Sequence, residues 1–457
     1  MAETTVTIES TLAALVEGKR YATLRDILIT MNPADVAAVF EEMDESVLPL
    51  LFRLLPKELA AETFVEMEPE SQELLIHGFS DAELKEVVDE LYVDDAVDLV
   101  EEMPTNVVKR ILRSADPEMR RMINEILRYP EDSAGSIMTT EFASLRPKMT
   151  VEEAIKRIRR TGVDKETINT CYVTDQGKLI GAISLRTLIL SDPEDIIEDI
   201  MEPHVISVTT TEDQEHVAQM FSKYNFNAMP VVDTENRLVG IVTVDDAIDV
   251  LQEEVTEDIE KMAAIMPSEK TYLRSTPWDL FRHRIPWLML LMVSATFTGM
   301  ILNSFENALA AQVVLTIFIP MLMDTGGNSG SQASVTVIRA LSLDELEFSD
   351  VARVIWKEIG TAVLCGAALA AVCFGKIMLI DRMLMGNTDV TVGVAAVVCI
   401  TMALTVLVAK VVGCTLPMFA KKLGFDPAVM ASPFITTIVD ALSLLVYFGI
   451  ATTLLKL

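Results

Sequence analysis

The carboxylates are where chemistry is concentrated in this sequence. Asp440 is the one charge in the apolar stretch Pro427 to Leu455. A carboxylate inside a membrane-length segment costs roughly 2.5–3.5 kcal/mol on insertion scales, so it persists where it meets water, a cation or an opposite charge. Lys410 is the opposite charge that would make it merely structural. Thr436, Thr437 and Asp440 recur at helical spacing, which puts hydroxyls and a carboxylate on one face. Elsewhere Asp94, Asp95 and Asp98 fall within about one helical turn, with Asp94 and Asp98 on a shared face. The run VTVDDAIDVLQEEVTEDIEK places Asp245, Asp246, Asp249, Glu253, Glu254, Glu257 and Asp258 on one long acidic helix. A solvated face is the ordinary explanation of such runs. Two carboxylates about 4 Å apart repel by about 4 kcal/mol at an effective dielectric near 20, so packing these surfaces together requires cations. Mg²⁺ suits them, because it takes oxygen ligands and keeps several of its waters.

These residues sit in two regions of opposite character. Residues 1–280 hold 26 Lys and Arg against 57 Asp and Glu, and the remaining residues hold 11 of each. The net charge of −31 therefore belongs to the first region, and the apolar excess to the second. So acidic a chain does not favour nucleic acid, since phosphate binding needs Lys and Arg. The five cysteines form no C-x-x-C pair and predict no disulfide framework. The opening MAETTVTIES lacks a basic and then apolar pattern, and predicts no cleavable signal peptide.

Five segments approach or exceed the roughly 20 apolar residues that cross a bilayer as a helix: Ile285–Leu302, Ala308–Met323, Ile359–Ile380, Val390–Ala409 and Pro427–Leu455. With the N-terminus in the cytoplasm, Arg282, Arg284, Arg339, Arg353, Lys357, Lys421 and Lys422 fall inside, and only Arg382 and Lys456 outside. That bias predicts a plasma (cell inner) membrane protein with a cytoplasmic N-terminus and an external C-terminus. TGGNSGSQ (Thr325 to Gln332) reads as a turn with exposed backbone, which is tolerated at membrane depth only beside a cavity or under protein cover. In DPAVMASP, Pro427 and Pro433 prepare the start of the fifth span.

Residues 131–250 contain a repeat. Ile137-Met138 and Ile200-Met201 are 63 residues apart, and Gly181 and Gly240 are 59 apart. Each copy reads as strand, helix, strand, polar turn, strand, helix, with DQGK and DTENR as the turns. The pattern resembles a tandem pair of CBS domains, a regulatory module that often binds adenosine nucleotides or metal ions. Residues 1–128 read as short amphipathic helices such as DVAAVFEEM, KELAAETFVEM and DAVDLVEEM, joined by turns such as MNPAD and EMPTN. Stacked helices of this kind form a superhelical array.

The whole order is similar to the MgtE family of bacterial magnesium channels, with TGGNSGSQ and DPAVMASPFITTIVD as its specific motifs. The resemblance implies a multidomain membrane protein. It would have an acidic superhelical all-α N-domain (1–130), α/β tandem CBS domains (131–252), a connecting or plug helix (253–280) and an all-α five-helix pore domain (281–457). It implies a homodimer in the lipid bilayer, with Asp440 of each chain holding a largely hydrated Mg²⁺ at the dimer axis. Asp426, Asn328 and Thr437 lie in the matching pore motifs. For regulatory Mg²⁺, the matching positions are Asp94, Asp98, Glu215, Asp246, Asp249, Glu254, Glu257 and Asp258. For ATP, they are Tyr172, Arg186 and Phe226. Thr187 and Asn225 depart from acidic positions of some relatives. Asp324 replaces a usually uncharged residue and adds a carboxylate near the cytoplasmic pore mouth.

The function expected is Mg²⁺ uptake through a channel that closes when cytoplasmic Mg²⁺ bridges the acidic surfaces. The alternatives are a proton- or sodium-coupled divalent cation carrier, and a membrane magnesium sensor without transport. An enzyme is disfavoured. His77, His204, His216 and His283 are scattered without an H-E-x-x-H pair, and the N-terminal region shows no nucleophile set or phosphate loop.

Overall fold

The computed structural model describes residues 8–268, 272 and 275–455. They form two compact units, Met1–Leu251 and Gln252–Leu457, whose boundary falls inside the helix Val244–Met262.

The first unit begins with short helices running from Ile8–Glu17 to Pro117–Ile126. Proline and polar caps set their starts. Asn32 accepts the Ala34 N–H at 3.0 Å ahead of Pro33, and Ser80 and Glu83 close a reciprocal cap on Asp81–Val88. Alternate helices pack on one another: Pro33–Glu41 on Lys57–Val65, then Asp81–Val88, then Thr105–Ser114. The buried faces merge into one apolar core that includes Phe40, Phe64, Leu75, Leu84, Val97 and Ile123. No helix this short is stable alone, so this shared core holds the array together.

Two three-stranded sheets follow. In the first, β1 (Phe142–Leu145) runs parallel to β2 (Thr167–Asp175), which pairs antiparallel with β3 (Lys178–Ser184). In the second, β4 (Val208–Thr209), β5 (Ala228–Val232) and β6 (Leu238–Thr243) repeat that order. The repeat landmarks prove to be contacts between the copies. Thr139 and Ile241 exchange backbone hydrogen bonds of 2.8 and 2.9 Å, and Ala182 and Glu202 exchange bonds of 3.0 and 2.8 Å. Met138 then lies over Gly240 and Met201 over Gly181, where a side chain on either glycine would strike the methionine sulfur. The even spacing in sequence reflects this reciprocal packing.

The second unit contains long helices: first Pro277–Ser304, second Ile319–Ser342, third Val351–Lys376, fourth Val392–Lys422 and fifth Ser432–Leu455. The stretches Pro277–Ser304, Phe348–Leu384, Val392–Lys422 and Pro427–Leu455 are long and apolar enough to cross a membrane. Two expectations change here. The span expected at Ala308–Met323 is a helix, Glu306–Ala311, then a 3-10 segment, Val313–Phe318, and only then the start of the second long helix. TGGNSGSQ is not a turn but the middle of that helix. Its glycines serve close packing: a Cβ on Gly326 would lie 2.7 Å from Thr405 Cγ2, one on Gly327 2.9 Å from Thr436 Cγ2, and one on Gly330 2.8 Å from Ile435 Cγ2. Gly413 meets the Gly330 backbone directly, so the second and fourth helices touch chain to chain. Within a bilayer such contacts replace the hydrophobic effect as the driving force of helix association. The stretch 253–280 expected to connect the regions holds the end of one helix and the start of another. The first of these helices starts at Val244 and ends at Met262, and Thr276 with Asp279 caps the next helix. Residues 269–271 and 273–274 of that stretch lie outside the described residues.

Candidate functional sites: an acidic joint and a polar membrane face

In the first unit the helix Val93–Glu102 carries Asp94, Asp95 and Asp98. Asp94 is 4% exposed, and its Oδ1 is buried without a hydrogen-bond partner. Asp246, at the start of the helix Val244–Met262, accepts from the Thr243 hydroxyl, and it acts electrostatically on Asp94 and Asp98. Burial first, then Asp246, raises Asp94 well above the usual carboxylate range. Partial loss of water, then Asp246, pushes Asp98 at the rim up to about 8. Burial, then the adjacent Asp245, pushes Asp95 to about 6. Asp246 itself rises to about 7, through burial and Asp245, against the Thr243 hydrogen bonds. Asp249 is also raised, by burial and Asp245.

Sequence reasoning missed Glu166 and Glu141. Glu166 is pushed to about 8 by burial and then by Asp95, Asp245 and Asp246. Glu141 accepts the Val93 N–H at 3.2 Å, at the N-terminus of the acidic helix. Neither lies in a charge run, so only the fold could reveal them. Glu215 accepts from Gln219 at 3.1 Å on its own helix and is not among the main charges acting on Asp94, Asp98 or Asp246.

The orphaned Asp94 oxygen amid like charges fits a divalent cation, which would neutralise what the protein leaves repulsive. Among the described residues, no three His, Cys, Asp or Glu side chains converge to ligate one ion directly. The arrangement therefore fits a cation that keeps its water, as Mg²⁺ does, rather than a dehydrated ion in a tight cage.

The second unit holds the membrane carboxylate. Asp440 is half-buried on the fifth helix, one turn beyond Thr436, which packs on Gly327. Asp324, Asn328 and Gln332 form an exposed ridge at four-residue spacing on the second helix. Asp324 is within electrostatic reach of Asp440. Among the described residues no Lys or Arg pairs with Asp440. Lys410 turns instead to Glu358, at 3.6 Å. The Thr437 hydroxyl donates to the Pro433 carbonyl at 3.0 Å.

Asp426 is engaged within the chain. It accepts the Ala428 N–H at 2.7 Å, capping Pro427–Met430, and pairs with Lys261 at 2.7 Å. Lys261 also pairs with Glu257 at 2.6 Å. The Ser342 hydroxyl donates to Asp258 at 3.3 Å, and burial and then Asp426 raise the Asp258 carboxyl. Glu254 is half-buried one turn before Asp258. The residues matched to ATP do not gather. Tyr172 is 1% exposed in an apolar cluster with Ala228 and Ile241, Arg186 is exposed, and Phe226 stacks on Tyr224 at 5.4 Å. A cavity of about 370 Å³ lined by Leu179, Pro203, His204, Ser207 and Asn236 includes none of them.

Helices apolar and long enough to cross a membrane, one of them carrying Asp440, together with a doubled CBS module, define a multi-pass membrane protein with a large N-terminal region. Known proteins agree. The chain matches the divalent cation transporter family MgtE over residues 319–450, the MgtE intracellular N domain over 31–132 and the CBS domain over 134–193 and 197–253. It is 38% identical to "Magnesium transporter MgtE" of Thermus thermophilus, over 97% of both chains. It is 34% identical to the protein of that name from Bacillus subtilis, over 94% of this chain and 93% of that one. The crystal structure of the cytosolic domain of the Mg²⁺ channel MgtE in complex with ATP matches with a TM-score of 0.51 and 38% identity. It covers 53% of this chain and all of that one. The chain belongs to the MgtE family of transporters, and it is not an enzyme.

Proposed function

We propose that this protein carries Mg²⁺ across the plasma membrane as a homodimeric channel that cytoplasmic Mg²⁺ closes. The observation that carries the reading is Asp440 with Asp324, two carboxylates beside a glycine-packed helix crossing with no basic residue paired to Asp440 among the described residues. The ridge Asp324, Asn328 and Gln332 is exposed in one chain. Lipid is a poor environment for such groups, so the ridge lines water shared with a second copy. A hydrated dication between two Asp440 carboxylates meets the reluctance of Mg²⁺ to shed water. The N-terminus is cytoplasmic and the C-terminus external, by the basic residues of the short loops.

In the closed state, Asp94, Asp98 and Asp246 would hold a hydrated Mg²⁺, with Asp249, Glu254, Glu257 and Asp258 contributing along the connecting helix and Glu215 on its neighbouring repeat. The bound ion supplies positive charge that cancels their repulsion. Without it, that repulsion opens the joint. The ion biases the gate only because it prefers the closed arrangement. We extend the reading to an adenosine nucleotide on the CBS pair, for which a thermal shift of the full chain by ATP is the test.

Flux of Mg²⁺ through purified protein in liposomes tests the whole reading. Flux should appear without an imposed proton or sodium gradient and fall as Mg²⁺ rises on the cytoplasmic face. Flux that required either gradient, or that ignored cytoplasmic Mg²⁺, would reject it.

A further inference from the structure

Two glutamates stand side by side where the first CBS sheet begins. The Glu166 N–H donates to the Glu141 carbonyl at 2.9 Å, and β1 and β2 pair from the next residue of each, Phe142 with Thr167. Their carboxylates differ. Glu141 is engaged, accepting Val93 N–H at 3.2 Å. Glu166 is half-buried, and its Oε2 is enclosed without any hydrogen-bond partner. The charges acting most on it are Asp95, Asp245, Asp246 and Glu141, all negative, and the nearby Lys165 acts on Glu141. Across the same joint the Asp94 Oδ1 is also buried and unpartnered, on a side chain only 4% exposed. Two carboxylate oxygens in one acidic joint, buried without a hydrogen-bond partner among the described residues, carry a desolvation penalty when charged.

We propose that Glu166 is a third carboxylate of the regulatory cation site. One hydrated divalent cation then ties the helical region, through Asp94, to the first CBS repeat, through Glu166, and to the second, through Asp246. This rests on the gating reading above and extends it. The cation locks three segments together rather than two, so closure senses the register of the first repeat as well as the second. A site built from dispersed single carboxylates also admits a hydrated ion, in keeping with the lack of a direct three-ligand cage among the described residues.

Hydrogen–deuterium exchange of the full-length protein in detergent, titrated with Mg²⁺ alone, tests the proposal through peptides covering 93–102 and 162–175. In wild type, Mg²⁺ should slow exchange in both. Glu166→Gln should raise the Mg²⁺ midpoint about tenfold, and by relieving repulsion it should slow exchange in EDTA. Glu166→Lys should protect both peptides in EDTA, with an internal cation in place of the ion. A glutamic acid that is simply protonated would be mimicked by Gln, so a midpoint within twofold of wild type overturns the proposal. Faster exchange in EDTA for both variants, the mark of a structural role, also overturns it. Asp246→Asn separates this failure from that of the gating reading. If Asp246→Asn moves the midpoint and Glu166→Gln does not, Glu166 alone is excluded. If neither moves it, cation binding at the joint falls altogether.

Discussion

The acidic joint of the first unit and the polar face of the second both present carboxylates without a matching cation, but they are built in opposite ways. In the joint, Asp94, Glu166 and Asp246 come from distant segments and act on one another electrostatically, with an oxygen of Asp94 and one of Glu166 sealed from solvent. On the membrane helices, Asp324, Asn328 and Gln332 stay exposed in one chain, beside the half-buried Asp440. The first arrangement is enclosed by the fold of one unit. The second faces outward from its helices. The contrast separates carboxylates that the fold encloses from carboxylates that it leaves open, and the proposed regulatory and transported ions rest on that difference.

The strongest way to break this comparison is at Asp440. Asp440→Asn keeps the shape and removes the charge, so Mg²⁺ flux in liposomes should fall by about 100-fold while Mg²⁺-dependent protection of the first unit from protease stays intact. Loss of both together would mean the two regions are not separable. Next in size, Asp94→Asn combined with Asp246→Asn should leave maximal flux near wild type and raise the Mg²⁺ concentration that half-closes the gate by about tenfold. An unchanged threshold would remove the joint from gating.

The third effect is pH dependence. Asp98 and Glu166 sit at about 8 and Asp246 at about 7, raised above ordinary carboxylates by loss of water and by neighbouring carboxylates. A raised carboxyl binds its proton more tightly in the folded state. Its contribution to stability is therefore complete below pH 4 and is lost as pH climbs toward 8. In EDTA the melting temperature of the first unit's transition should decline from pH 5 to pH 8. Mg²⁺ should restore it most at the alkaline end, where the ion displaces fewest protons. A melting temperature rising with pH in EDTA would contradict the joint as described. The smallest effect belongs to Lys261, whose pairs with Asp426 and Glu257 are completed within one chain. Lys261→Met should shift the closing threshold by about two- to threefold, the scale of a partly exposed ion pair, as read from flux against cytoplasmic Mg²⁺. A shift as large as that at Asp94 would make this pair part of the gate.

How much was legible in the sequence varies from one element to the next. The short helices, the doubled sheet and the apolar spans follow from periodicity, proline and glycine, which act locally. TGGNSGSQ misled, because glycine reads as a turn when its neighbours in space are unknown. Here Gly326, Gly327 and Gly330 instead admit Thr405, Thr436 and Ile435 against a helix. The pairing of Asp426 with Lys261, 165 positions earlier, was not legible in its motif. The spacing of Met138 and Met201 was visible, but not that each lies over a glycine near the end of the opposite copy.

By itself, the sequence determined the chain's division into an acidic half and an apolar half, its helical and CBS-like elements, and the presence of a carboxylate within a span. Composition and short-range periodicity suffice for these, since each depends on residues within a few turns of one another. Only the tertiary structure decided which charges remain unpaired. Lys410 chose Glu358 rather than Asp440, and Glu166 acts electrostatically on Asp94 across more than 70 residues of chain. Electrostatic energy depends on distance through space and on local burial, and neither is written along the chain.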